Sequence, residues 1–538
     1  MTSPMPRVVA PLDTRASRQR TGRWHRSWHG RLIPWLLCAL LSGCALPPLT
    51  DRTQSHVLPA AEARETRLGR TLAPTVDAHP GLSGIYPLAD PLAAFAARAL
   101  LAEAAERTLD IQCYIWHGDT TGLLLFKAVH AAAERGVRVR LLLDDNGIPG
   151  LDDDLAALDT HPNIEVRLFN PFRVRTPKFI GYLTQFSQAN RRMHNKSFTV
   201  DNQATIIGGR NVGDEYFGAT QEVLFTDLDV LAVGPVVYDV SADFDRYWAS
   251  GSAYPAARIL SAAQPEQRQE LMARIALLER EDAAIQYLEA QRQSHFVQDM
   301  LEGTLPLEWA ETHMVSDDPA KGLGLAEKDA LLVTQLADLL GNPHTNLELI
   351  SPYFVPTEAG TEAFAALARQ GVKVRVLTNS LEATDVAAVH AGYAKRRKDL
   401  LEAGIRLYEM RRTPGDRERN ASAGPFGSSG SSLHAKTFAV DDARVFIGSF
   451  NFDPRSAHLN TELGFVIDSP QLAERMDRLF NERVPLDAYE VQLDADGDLI
   501  WLERQDGQVI RHAREPGASL WRRAMVWVLS HLPIEWML

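Results

Sequence analysis

The chain has 538 residues, 45% hydrophobic and 23% charged, an ordinary globular composition that excludes a largely disordered or fibrous protein and leaves room for two domains with sizeable cores. The formal net charge is −13, and residues 1–43 carry seven Arg against Asp13 alone, so the remainder bears −19. A surface that acidic repels phosphate backbones and argues against non-specific nucleic-acid binding.

The N-terminus has the layout of a secretory signal over residues 1–43: a basic region ending at Arg31, an apolar run from Leu32 to Leu41, then Leu41-Ser42-Gly43-Cys44. Ten apolar residues are too few to span a bilayer. Leu-Ser-Gly-Cys resembles the lipobox of bacterial lipoproteins, which implies cleavage before Cys44 and acylation of its sulfur. Ala45 after it favours the outer over the inner membrane by the same resemblance, with the protein facing the periplasm. Residues 44–83, rich in Pro, Thr, Ala and Arg without a sustained period, read as a tether. Besides Cys38 and Cys44 the only cysteine is Cys113, so no disulfide framework is available and Cys113 is expected to be a small core hydrophobe.

From about residue 92 the pattern is regular. Ala93 to Ala105 predicts a helix, Thr108 to Trp116 (TLDIQCYIW) a strand, Gly122 to Arg135 a helix, and Val137 to Leu143 (VRVRLLL) a strand stopped by Asp144-Asp145-Asn146-Gly147. The second half repeats the order with a helix over Lys328–Leu340, a strand over Asn346–Phe354, a helix over Thr361–Gln370 and a strand over Gly371–Leu377. Strands alternating with helices at this spacing predict an α/β fold with a largely parallel or mixed sheet. The expected division is two copies of one domain, 84–250 and 322–485, joined by a helical connection at 251–321 and followed by a C-terminal segment at 486–538. Loops 173–192 and 411–432 sit where lids over a site would sit. The end of the chain sets Trp521, Trp527 and Trp536 beside Arg522 and Arg523, compatible either with a membrane interface or with a helix docked on the body.

The chemistry lies in a repeated motif. His194, Lys196 and Asp201 recur as His434, Lys436 and Asp441, each His followed 17 residues later by Asn211 or Asn451. Two matches sharing Phe-x-Val-Asp and Ile-Gly indicate duplication and a single site. A His alternating with a Lys on a strand presents both side chains on one face. That face suits a phosphodiester: Lys196 and Lys436 neutralise its oxygens, Asn211, Asn451 and Ser449 are candidate phosphate contacts, and one imidazole attacks phosphorus while the other protonates the leaving oxygen. No metal and no cofactor is expected, since the protein supplies the cations and no His or Cys cluster shows zinc-ligand spacing. Each imidazole needs a carboxylate behind it. The candidates are Glu462, 28 residues after His434, and Asp227, 33 after His194, with Glu222 competing for the second role. Asp201 and Asp441 are expected to hold turn geometry and a lysine.

Together with Gly208-Gly-Arg-Asn, Asp214-Glu-Tyr-Phe-Gly and Phe450-Asn-Phe-Asp-Pro-Arg-Ser, these motifs resemble the phospholipase D superfamily, most narrowly the cardiolipin synthase C type of bacterial enzyme. The resemblance implies two tandem α/β/α sandwich domains related by pseudo-twofold symmetry with one active site at their interface. It further implies phosphatidyl transfer through a phosphohistidine, with the N-terminal His194 as nucleophile and His434 as acid and base. Phosphatidylethanolamine and phosphatidylglycerol are the implied substrates, and a membrane surface the implied setting; protein partners are undetermined. The alternatives are a hydrolytic phospholipase D releasing phosphatidic acid, a phosphodiesterase nuclease, and a non-catalytic lipid-binding protein. The halves are not equivalent: Gly209 stands where the second half has Ser449.

Overall fold

Nineteen strands among the described residues form two mixed sheets that repeat one strand order. The computed structural model describes residues 46–50, 52–175, 178, 180–181, 186–218, 227–412 and 433–538. The signal region, Cys44, Glu222, parts of the loop 173–192 and nearly all of 411–432 lie outside them. The first sheet contains β1 (Ser83–Leu88), β2 (Thr108–Cys113), β3 (Arg138–Asp144), β4 (Ile164–Phe169), β5 (Ser197–Val200), β6 (Ala204–Gly208), β7 (Asp229–Val233), β8 (Ala253–Pro255) and β9 (Glu308–Ala310). The second contains β10 (Thr312–Ser316), β11 (Asn346–Ile350), β12 (Lys373–Asn379), β13 (Arg406–Met410), β14 (Thr437–Val440), β15 (Arg444–Gly448), β16 (Leu463–Asp468), β17 (Ala488–Leu493), β18 (Leu499–Gln505) and β19 (Gln508–His512).

Their orders, β8-β4-β3-β2-β5-β6-β7-β1-β9 and β17-β13-β12-β11-β14-β15-β16-β10, match strand for strand over eight positions. The hairpin β18–β19 extends the second sheet past β17. In each sheet the three strands bearing the helical crossovers run parallel. The motif strand pairs antiparallel with the first of these and with the strand that follows it. The duplication read from the motif is therefore a duplication of topology.

Local chemistry explains the elements. Asp90 caps the helix Pro91–Ala104 by accepting from the Ala93 amide at 2.7 Å, with Pro91 in the first turn. Asp119 caps Thr120–Glu134 through the Gly122 amide at 3.1 Å. The turns β5–β6 and β14–β15 hold Asp201-Asn202 and Asp441-Asp442 at φ of 52°, 53°, 56° and 54°. Two successive left-handed residues closed by Gln203 N to Val200 O (2.9 Å) and Ala443 N to Val440 O (3.1 Å) form the hairpin turn that Asp and Asn tolerate best.

The expected boundaries shift in three places. Strands β8, β9 and β10 fall inside 251–321, being edge strands of three to five residues that carry too little periodicity to be read, and β17–β19 fall inside 486–538, where they extend the second sheet. The helices between, Pro265–Leu278, Asp282–Gln293 and Phe296–Glu302, bury Leu271, Ile275, Tyr287 and Phe296 in the core of the first half. The segment read as a tether lies on the body from Arg52 onward. Arg52 donates to Ser250 O at 2.6 Å, Thr53 Oγ1 to Glu165 at 2.6 Å, and Leu68 and Leu72 are buried. These anchors join residues far apart in sequence, so composition alone reads as linker.

One apolar core belongs to both sheets. Ile85, Ile207, Val230 and Ala232 of the first pack with Ile350, Ile447, Phe465 and Ile467 of the second, fixing one half against the other. Phe465 is fully buried at that seam. Phe465→Ala is expected to destabilise the fold by about 3–5 kcal/mol, read as a lower denaturant midpoint in equilibrium unfolding.

Candidate functional site

His194 is placed by the opposite half. Its backbone amide donates to Thr461 O and the Thr461 amide to Arg192 O, both at 2.9 Å, a short parallel bridge between halves at Met193 and Thr461. Asp144, which the sequence presents as a turn residue, is buried and accepts from Arg192 Nε (2.9 Å) and the Met193 amide (2.7 Å). The strand that ends at Asp144 thus holds the two residues before His194.

Both imidazoles meet a carboxylate from across the seam. His194 Nδ1 lies 2.8 Å from Glu462 Oε2, and His434 Nδ1 lies 2.5 Å from Asp227 Oδ2. Each carboxylate follows one motif in sequence and serves the histidine of the other. A ring whose Nδ1 hydrogen is accepted by a carboxylate oxygen is fixed in the tautomer that leaves the Nε2 lone pair for chemistry. Supports lie behind both: the Glu462 amide donates to Asp317 Oδ2 at 2.9 Å, and Arg210 donates to Asp227 O at 3.1 Å while pairing with buried Asp229 at 2.7 Å.

Gly209 and Ser449 differ for a steric reason. A Cβ at Gly209 would stand 2.3 Å from Asp227 Oδ1, so only glycine fits beside that carboxylate. Ser449 instead donates its hydroxyl to Glu462 Oε2 at 2.5 Å and accepts from the Leu463 amide at 3.0 Å. Ser449, expected against phosphate, therefore has its hydroxyl engaged behind His194. Asn211 accepts from the Ile115 amide at 3.2 Å; its Nδ2, like Asn451 Oδ1, is buried with no hydrogen-bond partner among the described residues.

The cations are buried as well. Lys196 Nζ donates to His194 O at 2.6 Å and Lys436 Nζ to His434 O. Burial lowers Lys196 to about 7 and Lys436 to about 8, each pulled back up by the Glu462 and Asp227 carboxylates. Burial and both lysines push His194 well below its ordinary value, and burial and Lys436 push His434 down to about 4 against the pull of Asp227. Burial lifts Glu462 to about 7, whereas Asp227, beside His434 and Lys436, is held below the usual carboxylate range. The site thus pairs one weakly acidic and one firmly ionised carboxylate with two imidazoles that are neutral at pH 7. His194 is 5% and His434 3% exposed, so water reaches neither freely.

Asp201 and Asp441 do not join this group. Asp201 accepts from the Glu106, Arg107 and Thr108 amides at 2.8–2.9 Å, and Asp441 from those of His344, Thr345 and Asn346 at 2.7–3.3 Å. Each ties its hairpin turn to the start of β2 or β11. The expected hold on a lysine is absent from these contacts, because a four-residue strand, roughly 13 Å of extended chain, separates the lysine from the turn.

Aromatic groups absent from the sequence expectation complete the walls. Tyr114 presents an edge contact to His194 with ring centroids 4.9 Å apart and lies under Lys196 Nζ at 5.3 Å. Tyr216 does the same for His434 at 5.4 Å. Tyr353 donates to Asp385 at 2.9 Å. Tyr114 and Tyr353 stand just beyond the carboxyl ends of β2 and β11, where open α/β sheets place ligands, and that position was the available signal. Cys113 is buried with its thiol raised to about 11, an inert core residue.

Among the described residues two clusters elsewhere gather metal-ligating residue types within 4.8 Å, His130–Glu134–His161 and His117–Asp119–Glu215. Each has a local pair, His130 with Glu134 one helical turn on and His117 with Asp119, but its third member, His161 or Glu215, comes from a distant element. In the second, Asp119 caps a helix and Glu215 sits 2.9 Å from His117.

Asp201 is fully buried, while Asp441, which also answers three amides, is only partly buried. Asp201→Ala is expected to cost about 2–4 kcal/mol of stability and Asp441→Ala less, compared by thermal unfolding of the two proteins.

The family model described as "Cardiolipin synthase, PLD-like domain" matches residues 99–248 and 336–484. Cardiolipin synthase C of Escherichia coli (strain K12) is 51% identical over 473 residues, spanning 88% of this chain and all of that protein. An uncharacterized protein of Helicobacter pylori (strain J99) is 31% identical over 85% of this chain and 90% of its own length. In fold, the chain is similar to the crystal structure of phosphatidylserine synthase from Haemophilus influenzae Rd KW20, with a TM-score of 0.55 at 13% identity, covering 88% of this chain and all of that one. Two matches of one domain model on two sheets of identical strand order place this chain in the phospholipase D-like family, in its cardiolipin synthase branch.

Proposed function

We propose that this chain is a phosphatidyltransferase of the cardiolipin synthase kind, moving a phosphatidyl group from phosphatidylethanolamine to a headgroup hydroxyl of phosphatidylglycerol. The observation that carries the reading is the pair of imidazoles, each backed by the other half's carboxylate and flanked by two buried lysines. His194 Nε2 attacks the donor phosphorus, forming an N–P bond as the headgroup oxygen leaves with a proton from His434 Nε2. His434, then neutral, takes the proton of the acceptor hydroxyl, whose oxygen attacks phosphorus and breaks the N–P bond. The unequal carboxylates support this division: ionised Asp227 at 2.5 Å stabilises a cationic His434, whereas weakly acidic Glu462 leaves His194 neutral and nucleophilic. The entering phosphodiester anion offsets the two lysines and raises His434 toward its acid form. Lys196, Lys436, Asn211 and Asn451 contact the phosphate in this scheme, and Ser449 orients Glu462.

Limited water access at the imidazoles favours a lipid acceptor over water. The setting that fits is a membrane surface, with Cys44 acylated after removal of residues 1–43 and the outer membrane favoured. Among the described residues no helix is long and apolar enough to cross a membrane.

Incubation of the purified protein with phosphatidylethanolamine and phosphatidylglycerol in mixed micelles is expected to yield cardiolipin and free ethanolamine; phosphatidic acid as sole product would overturn transfer. His194→Ala and His434→Ala are each expected to reduce turnover at least about a thousandfold, with phosphoenzyme trappable only in the second. The lysines are charged below about 7 and about 8 and lose that charge as pH rises. KM for the phosphodiester should therefore climb across that window, and Lys436→Arg, which stays protonated, should move the rise to higher pH.

A further inference from the structure

The helix Leu520–Ser530 has its polarity reversed. Its inward face sets Val526 against Leu381, Ala391 and Ala518 and directs Arg522 to Thr384 O. Its outward face carries Leu520, Trp521, Met525, Trp527 and Val528, continued by Leu532 and Trp536, with Trp521 80%, Trp527 65% and Trp536 57% exposed. Residues spaced by three, four and seven share one side of a helix, so these form a continuous apolar patch rather than scattered surface residues.

Both ends of this segment are tied to elements that carry the site. Thr384, which Arg522 meets, precedes Asp385, the partner of Tyr353. Leu538 O accepts from the Arg455 amide at 2.7 Å, and the Arg455 guanidinium bonds Asn190 Oδ1 at 2.6 Å, four residues before His194. The charge is local too: of the four Arg from Arg511 to Leu538, Arg511 pairs with Asp494 and Arg522 turns inward, while Arg514 and Arg523 lie beside Glu515 and Glu535, whose carboxylates pair with Arg397 and Arg396.

We infer that this C-terminal segment is a docking face for a bilayer containing anionic phospholipid, seating Trp521 and Trp527 of the helix, and Trp536 beyond it, at the headgroup level. Indole rings with an apolar body and a polar N–H prefer that level, and the charge of Arg514 and Arg523 complements anionic headgroups. A second copy on the same face would set the arginines of both copies against each other. The inference rests on the phosphatidyltransferase reading, which supplies the bilayer as the source of substrate.

The test uses the full chain with Cys38→Ser and Cys44→Ser, so that no acyl anchor contributes, and buried Cys113 in place. An environment-sensitive dye is attached to Trp521→Cys, or to Leu277→Cys on the helix Pro265–Leu278 as control, the native Leu277 being exposed. Vesicles of phosphatidylethanolamine and phosphatidylglycerol are expected to blue-shift the dye at 521 and leave that at 277 unchanged. No shift at 521, an equal shift at both positions, or a shift at 521 driven by protein concentration without vesicles would overturn the inference, the last in favour of self-association. The doubly substituted Trp521→Ser/Trp527→Ser protein should bind vesicles about tenfold more weakly and lose vesicle turnover in proportion, while keeping turnover in mixed micelles. Undiminished vesicle binding by that protein would also overturn it. A shift at 521 with no phosphatidyl transfer in vesicles or micelles would instead sink the transferase reading and support the docking face.

Discussion

Each catalytic candidate imidazole is held by a carboxylate from the other half of the chain, and the rest of the site depends on that crossing. With Glu462 on His194 and Asp227 on His434, neither half holds a supported histidine by itself. The shared core around Phe465 fixes the halves, the Met193–Thr461 bridge sets register across the seam, and the crossed pairs turn that register into imidazole orientation. Duplication supplied two half-sites, and docking made them one.

Burial gives the site its electrostatic character. Four ionisable side chains from two motifs and two supporting carboxylates lie almost out of water, where charge is costly unless paired. The lysines answer by dropping toward neutrality and the imidazoles by staying uncharged, which leaves a site whose remaining positive charge suits an anion. The asymmetry begins at a single carbon: no Cβ fits at Gly209 beside Asp227, whereas Ser449 has room to donate to Glu462. Two carboxylates of different strength behind two like imidazoles are what separate the proposed nucleophile from the proposed acid.

Much was legible in the linear chain where the signal is local. The Ala-rich helix at Pro91–Ala104, the strands β2, β3, β11 and β12, and the turns at Asp201 and Asp441 all follow from periodicity, caps and turn chemistry. Short edge strands such as β8, β9 and β10 did not show, because three to five residues carry too little periodicity and their pairing is set by distant partners. Asp144 illustrates the limit: an Asp-Asp-Asn-Gly run signals a turn, yet its first carboxylate is buried behind Arg192 and Met193. Tyr216 lies within the motif Asp214-Glu-Tyr-Phe-Gly and Tyr114 at the end of a predicted strand, but neither reads as a wall of the site, since their role is contact with rings that the fold brings near.

The sequence by itself determined the repeat, the two His-Lys pairs and the two carboxylates, because residue identity and interval survive without coordinates. Tertiary structure alone decided which carboxylate meets which histidine, that Ser449 faces Glu462, and that Asp201 and Asp441 answer backbone amides at the starts of β2 and β11 rather than a lysine. Hydrogen bonds and desolvation act over a few ångströms, whereas the residues they join stand 13 positions apart in the case of Ser449 and Glu462 and 207 in the case of Asp227 and His434.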